Sequence, residues 1–186
     1  MSPTSCCARG GRGSRCRTAG NGGPEFRRWN AITVPPPDEE GARAFLGSRT
    51  DGWRQGDSVG FAVTARAEGP DAAVGSVGLS MIDHIRRNAR VSYWILPEFR
   101  GRGYASRALE ALTRWAFHER LRPHRLELGH ALGHDASCRV AERCAYGLEG
   151  TLRGALPGGD GGMWDIRLHA RLATGPEPEL TARGAR

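Results

Sequence analysis

One stretch, residues 89–105 (ARVSYWILPEFRGRGYA), most constrains how this chain can fold. Its first half alternates along the chain and is rich in β-branched and aromatic residues, which predicts a strand over residues 90–96. Pro97 ends that strand, because proline has no backbone donor for a sheet ladder. A glycine-spaced turn at residues 100–105 follows, and apolar residues at helical spacing then predict a helix over residues 106–120.

The glycine-spaced turn has two interpretations. Gly101 and Gly103 would let the backbone approach a ligand, and the start of the following helix offers unpaired N–H groups and a positive dipole end. Arg100 and Arg102 add charge suited to phosphate oxygens. The same residues fit a plain tight reversal equally well. The spacing matches neither the dinucleotide fingerprint nor a P-loop, which requires a lysine.

The motif Arg100-x-x-Gly103-x-Ala105 resembles the (Gln/Arg)-x-x-Gly-x-(Gly/Ala) acetyl-CoA signature of the GNAT acetyltransferase superfamily. YWILPEFRGRGYASRALEALTRWAF and HRLELGHALGHDASCRVAERCAYGLEGTLR are similar to its RimJ/RimL-type branch, the protein N-terminal acetyltransferases and their relatives. The similarity covers roughly residues 24–172 and is strongest from Val74 onward.

This resemblance implies an α/β (α+β) GNAT fold, with a mixed, mostly antiparallel central sheet and helices on both faces. It also implies acetyl-CoA as co-substrate. The backbone of Ile95 and Leu96 would then hold the pantetheine and the thioester carbonyl. The pyrophosphate would lie on the glycine-spaced turn, formed by Arg100, Gly101, Arg102, Gly103, Tyr104 and Ala105.

For catalysis, the resemblance points to Ser137, which matches the serine of the family's Asn-x-x-Ser motif and would protonate the leaving thiolate. Its alternative role is that of an ordinary helix N-cap. By the same resemblance, His134 replaces the motif's Asn and lies beside the cofactor. Ala141 occupies the position at which many relatives have a tyrosine that serves as the general acid. No base is assigned; the candidates are Asp83, His84, Glu98 and Asp165, of which His84 has the most suitable ordinary pKa.

The net charge of +7 comes from arginine alone, since the chain has no lysine, and much of it lies before residue 31. Such a balance can indicate nucleic acid, but interleaved aromatics and a recognised nucleic-acid motif are missing, so we expect no nucleic-acid partner. Among the five cysteines, Cys138 and Cys144 lack zinc-site spacing. We therefore expect structural cysteines, no metal, and a reducing cytoplasm. With neither a long apolar run nor a signal-type segment, we expect no membrane association.

Three regions are expected: a disordered Arg/Gly-rich segment at 1–23, a GNAT domain at 24–172 and a disordered tail at 173–186. The usual first strand of the GNAT fold is not recognisable at the front of the domain. Local patterns predict further helices at 38–53 and 137–144, strands at 60–66, 73–82, 125–130 and 164–172, and a strand beginning near 149.

The predicted function is transfer of an acetyl group from acetyl-CoA to a primary amine, by direct attack in a ternary complex. The amine is a protein N-terminus or a small molecule. A second copy of the chain, forming a homodimer, is the other partner that we consider. The alternative hypothesis is a catalytically impaired acyl-CoA-binding module, motivated by the unrecognised first strand, the His134 replacement and the lack of an assigned base.

Overall fold

The computed structural model describes Trp29 and residues 39–65, 73–158 and 161–178. The expectations for residues 1–23, for the first strand and for the end of the tail lie outside these residues. The helices are α1 (Glu39–Gln55), α2 (Tyr104–Arg114) and α3 (Asp135–Arg143). The strands are β1 (Val59–Thr64), β2 (Ala73–Asp83), β3 (Asn88–Ile95), β4 (Arg125–Ala131), β5 (Gly147–Pro157) and β6 (Met163–Leu172).

The six strands form one sheet in the order β1-β2-β3-β4-β6-β5. Only β3 and β4 run parallel; every other neighbouring pair is antiparallel. The connection between the two parallel strands contains α2, as a parallel crossover requires. The predicted mixed, mostly antiparallel sheet is therefore confirmed.

The core lies between this sheet and the helices α2 and α3. Leu79 of β2, Leu109 of α2 and Leu126 of β4 are each fully buried there. Tyr146 is 1% exposed, and its hydroxyl hydrogen-bonds Thr113 Oγ1 at 2.7 Å. A buried tyrosine needs such a partner for its polar end.

Two glycines of β2 permit a close approach of the neighbouring strands. A Cβ at Gly75 would lie 2.3 Å from the carbonyl oxygen of Trp94, and one at Gly78 would lie 2.4 Å from that of Val59. Both contacts are with backbone atoms, which cannot rotate away as a flexible side chain can. Gly75 and Gly78 therefore set how closely β3 and β1 pack on β2.

Several predicted bounds shift. The central helix begins at Tyr104, with Gly103 as its N-cap, and ends in a wider π-helical turn, Trp115–Arg120. The helix predicted at 137–144 begins at Asp135, because the backbone turns helical directly after His134. The predicted tail starts as an attached segment, since Ala173 N–H donates to His124 O at 3.0 Å. No helix in the described residues is long and apolar enough to cross a membrane.

Candidate active site

The two parallel strands separate part-way along their length. β3 pairs with β4 only from Asn88 to Arg90, opposite residues 125–127, although β3 continues to Ile95 and β4 to Ala131. Beyond Arg90, β3 stays paired with β2, and β4 stays paired with β6. The sheet is therefore split between the carboxyl ends of β3 and β4, and we call this opening the cleft.

The backbone of β3 offers hydrogen-bonding groups to the cleft. Leu96 N–H donates to Val74 O at 2.9 Å, so this N–H points toward β2. Because successive residues of a strand point their backbone groups to opposite sides, those of Tyr93 and Ile95 point toward the cleft. Of the two residues predicted to hold the pantetheine, Ile95 thus faces the cleft, whereas the N–H of Leu96 is engaged in the sheet.

The glycine-spaced turn lies at the open end of the cleft, between β3 and α2. Gly101 and Gly103 both have φ of +74°, in the left-handed region that favours glycine. Open space surrounds the position of a Cβ at Gly101. Gly103 is the N-cap of α2, so the free N–H groups of the first turn begin at this point. The turn therefore has both features of an anion-binding site, namely glycines that allow a close approach and free N–H groups at a helix start.

Three arginines surround this turn. Arg100 Nε donates to Ile95 O at 3.2 Å, which ties the turn to the end of β3. The Arg102 guanidinium lies 5.5 Å from the Phe99 ring centre. Arg107 Nη1 donates to Arg102 O at 3.2 Å. Sequence reasoning missed Arg107, although its place one helical turn after Gly103 could have indicated it.

A second helix begins at the same end of the cleft. α3 starts after β4, with His134 as its N-cap and Ser137 in its first turn. Ser137 is 7% exposed, and its N–H donates to His134 O at 3.0 Å. Ser137 is therefore not the N-cap. Because Ser137 lies in the first turn of α3, its surroundings face the positive end of the α3 dipole.

Tyr93 of β3 lies beneath Ser137. Burial raises the pKa of Tyr93 to about 12, and the nearby Ser137 hydroxyl acts in the opposite direction. Within the described residues, however, the buried Tyr93 hydroxyl oxygen makes no hydrogen bond of good geometry. Tyr93 therefore keeps its proton at neutral pH, and its hydroxyl group can act as a hydrogen-bond donor. The sequence did not indicate it, since Tyr93 and Ser137 lie 44 positions apart on different elements.

Aromatic rings line the α3 side. The His134 ring lies 4.7 Å from the ring of Trp29, which lies 5.8 Å from Trp164. Asp165 directly follows Trp164 in β6. Two hydrogen bonds hold it in place, since its backbone O accepts from Leu132 N–H and its Oδ1 accepts from Gly154 N–H, each at 2.8 Å.

The topology separates the candidate bases. Asp83 and His84 precede β3, whose seven residue steps put them about 23 Å from Ile95. Asp83 instead organises the β2–β3 turn through the Ile85 and Arg86 N–H groups, which lower its pKa. Of the four candidates, only Glu98 and Asp165 lie at the end of the sheet where the cleft opens. His84, the base candidate that the sequence favoured, is remote from the cleft.

The profile of the acetyltransferase (GNAT) domain matches residues 18–146 of this chain. The chain belongs to the GNAT family. This confirms the sequence-based assignment, and members of the family use acetyl-CoA. Over 82 residues, this chain is 35% identical to the "Putative ribosomal N-acetyltransferase YdaF" of Bacillus subtilis. That match spans 44% of each protein, so it covers less than half the length of this curated relative.

Solved structures share the same fold. The ribosomal-protein-S5-alanine acetyltransferase of Vibrio fischeri superposes with a TM-score of 0.70 at 20% identity, over 83% of this GNAT chain and 84% of that one. RimL, the ribosomal L7/L12 alpha-N-protein acetyltransferase, in complex with coenzyme A, gives 0.68 at 23% identity, over 79% and 80%. At these identities the likeness extends to the fold alone.

Proposed function

We propose that this chain is an N-acetyltransferase that moves the acetyl group of acetyl-CoA to a primary amine within a ternary complex. The observation that carries the proposal is the separation of β3 from β4 after Arg90, with the first turns of α2 and α3 at the open end. A strand edge with open peptide groups and two positive helix ends suits a long, anionic thioester.

The donor's pyrophosphate fits the glycine-spaced turn. Backbone N–H groups of residues 101–105 would contact its oxygens, and the left-handed Gly101 and Gly103 permit that approach. Arg100, Arg102 and Arg107 would supply the balancing charge. The pantetheine amide would pair with the peptide groups of Tyr93 and with the N–H of Ile95 along the cleft, since Arg100 Nε already bonds Ile95 O.

Transfer requires the amine nitrogen to attack the thioester carbonyl carbon, so that a C–N bond forms and the C–S bond breaks. The leaving thiolate gains a proton and the nitrogen loses one. Ser137 would donate the proton to the thiolate, and the positive end of α3 would favour the negative charge on sulfur. Tyr93, with its proton retained and its hydroxyl oriented toward the same region, would position Ser137.

The acceptor is proposed to be a protein N-terminus. Support comes from the names of the relatives, since YdaF is named as a ribosomal N-acetyltransferase and RimL as a protein N-terminal acetyltransferase. Glu98 and Asp165 are the carboxylates placed to accept the amine proton directly or through water. A small amine as acceptor, a homodimeric assembly and a cytoplasmic location stay predictions.

Calorimetric titration of acetyl-CoA into the wild type and Gly103→Glu tests the donor site. We expect the wild type to bind and Gly103→Glu to lose binding, because its carboxylate would oppose the phosphates. Gly56→Glu is the matched control: Gly56 also has a positive φ, +79°, but lies beside His84 at the opposite end of the sheet. It should bind as the wild type does.

Thiol release with a panel of peptide N-termini and small amines then tests transfer. Release with peptides above the hydrolysis background would support the proposed acceptor. If a folded wild type fails to bind acetyl-CoA, the proposed function is wrong. Binding without release on any amine would favour the catalytically impaired module.

A further inference from the structure

Three buried side chains meet beneath α3, and the proposed acetyl transfer uses none of them. They are His130 of β4, Cys138 of α3 and His169 of β6, which are 8%, 8% and 0% exposed. One ligand atom from each lies within 4.8 Å of the others. The pairing of β4 with β6 brings the two histidines together, since Leu128 faces His169 and His130 lies two residues further along the same face.

Backbone contacts determine the tautomer of both histidines. His130 Nδ1 lies 3.0 Å from Ala131 O, and His169 Nδ1 lies 3.2 Å from Tyr146 O. A carbonyl oxygen can only accept, so each Nδ1 carries a hydrogen. In the neutral rings, each Nε2 therefore presents a lone pair, and the two Nε2 atoms lie 3.2 Å apart. Two facing lone pairs need a cation or a shared proton between them.

A shared proton is disfavoured here. It would make one of the two buried rings an imidazolium, and taking a charged ring out of water is costly. The Arg167 guanidinium, with Nη1 3.6 Å from Cys138 Sγ, adds a second positive charge nearby. With a metal bound, Cys138 would be present as its thiolate, which is the form that binds metals.

We propose that His130, Cys138 and His169 form a zinc site. In a tetrahedral site with Zn–N near 2.0–2.1 Å and Zn–S near 2.3 Å, two nitrogens lie about 3.3 Å apart, and sulfur and nitrogen about 3.6 Å apart. The two Nε2 atoms are 3.2 Å apart, and Cys138 Sγ is 3.7 Å from His169 Nε2. The remaining pair lies within 4.8 Å, which a small rotation of Cys138 can close.

The surroundings have the features of a zinc site. Glu142 Oε1 accepts from Cys138 Sγ at 3.5 Å, one helical turn further along α3, so a carboxylate lies on the exposed side of the cluster. The Nδ1–H···O bonds to Ala131 and Tyr146 are the outer contacts that typically orient metal-binding histidines. A bound ion with the Cys138 thiolate and the Glu142 carboxylate would have no net charge. It would join the start of α3 to β4 and β6, directly beside Ser137.

Cobalt substitution and zinc calorimetry test this site independently of acetyl transfer. The full chain carries Cys6, Cys7 and Cys16 as additional thiols, so all variants are made with these replaced by serine. We expect the metal-free chain to bind one Zn²⁺. We also expect Co²⁺ to give a thiolate-to-cobalt charge-transfer band together with the strong visible bands of tetrahedral coordination, and Zn²⁺ to abolish both.

Cys138→Ala should weaken zinc binding by more than about 100-fold, beyond the effect typical of losing an outer contact, and should remove the charge-transfer band. Cys144→Ala is the matched control, because Cys144, the C-cap of α3, is also buried but bonds Ser106 O, outside the cluster. His130→Gln is a second variant, and circular dichroism verifies folding. Absence of a charge-transfer band in the folded parent, or equal zinc affinity in the parent and Cys138→Ala, would overturn the proposal.

Discussion

Arg90 and Glu127 are the last residues at which β3 and β4 pair, and their side chains also meet, with Arg90 Nη2 3.8 Å from Glu127 Oε2. Arg125 Nε contacts the same carboxylate at 2.9 Å. The partly exposed Glu127 carboxylate thus lies between two guanidinium groups where the sheet divides. Past this point the strands no longer bond to each other, and the cleft begins.

Replacement of Gly101 should show the cost of its left-handed backbone conformation alone, because an added Cβ meets no neighbouring atom. Gly101→Ala places a Cβ in open space, so only the left-handed φ of +74° is penalised. We expect the free energy of unfolding to fall by about 1–2 kcal/mol. Gly47→Ala, within helix α1 and also in open space, should instead raise it by about 0.5–1 kcal/mol. Urea denaturation measures both, and equal changes would contradict the assignment.

Ser137→Ala tests the proposed acid. We expect kcat to fall by about 100-fold, which is in the range of a lost general acid, with little change in the affinity for acetyl-CoA. Ser92→Ala, an exposed serine of β3, is the control and should leave kcat unchanged. Steady-state kinetics and calorimetry measure the two quantities. A loss of acetyl-CoA affinity at unchanged kcat would show that Ser137 binds the donor rather than protonates it.

The ion pair between Arg171 of β6 and Glu110 of α2 is nearly buried, with 2.5 Å between Nη1 and Oε2. Arg171→Met would leave the Glu110 carboxylate buried without its charge partner. We expect a loss of about 3–5 kcal/mol in the free energy of unfolding. The double variant with Glu110→Met should recover much of that loss, since no unpaired charge remains. A double variant less stable than Arg171→Met would contradict this interpretation.

Tyr93 makes stability depend on pH in the alkaline range. Its pKa is raised to about 12 in the folded chain, against about 10 in the unfolded chain. Between these values the folded state holds one proton more than the unfolded state, so stability falls with rising pH by about 1.4 kcal/mol per unit. The contribution is complete below pH 10 and is lost as pH approaches 12.

Urea denaturation between pH 9 and 11.5 measures this slope, and Tyr93→Phe should reduce it at the upper end, from about pH 10. Cys144, whose pKa burial also raises to about 12, contributes in the same direction, so Cys144→Ala is measured alongside. An unchanged slope in Tyr93→Phe would mean that Tyr93 titrates at its ordinary pKa.

Local patterns predicted most of the secondary structure. The alternation before Pro97 located β3, and the apolar spacing after Ala105 located α2. The start of α3 was predicted two residues late, because its N-cap His134 makes no side-chain capping bond of the kind that a sequence signal would indicate. The resemblance to the GNAT family supplied the mixed, mostly antiparallel character of the sheet, which periodicity alone does not encode.

The sequence by itself determined the family and the position of the glycine-spaced turn, because each depends on residues close together along the chain. The mixed sheet followed only from the family resemblance. Only the tertiary structure decided that β3 and β4 separate after Arg90, that Tyr93 lies beneath Ser137, and that His84 is remote. It alone brought His130, Cys138 and His169 together. These relationships join residues from strands that become neighbours only when the sheet forms, and no spacing along the chain records them.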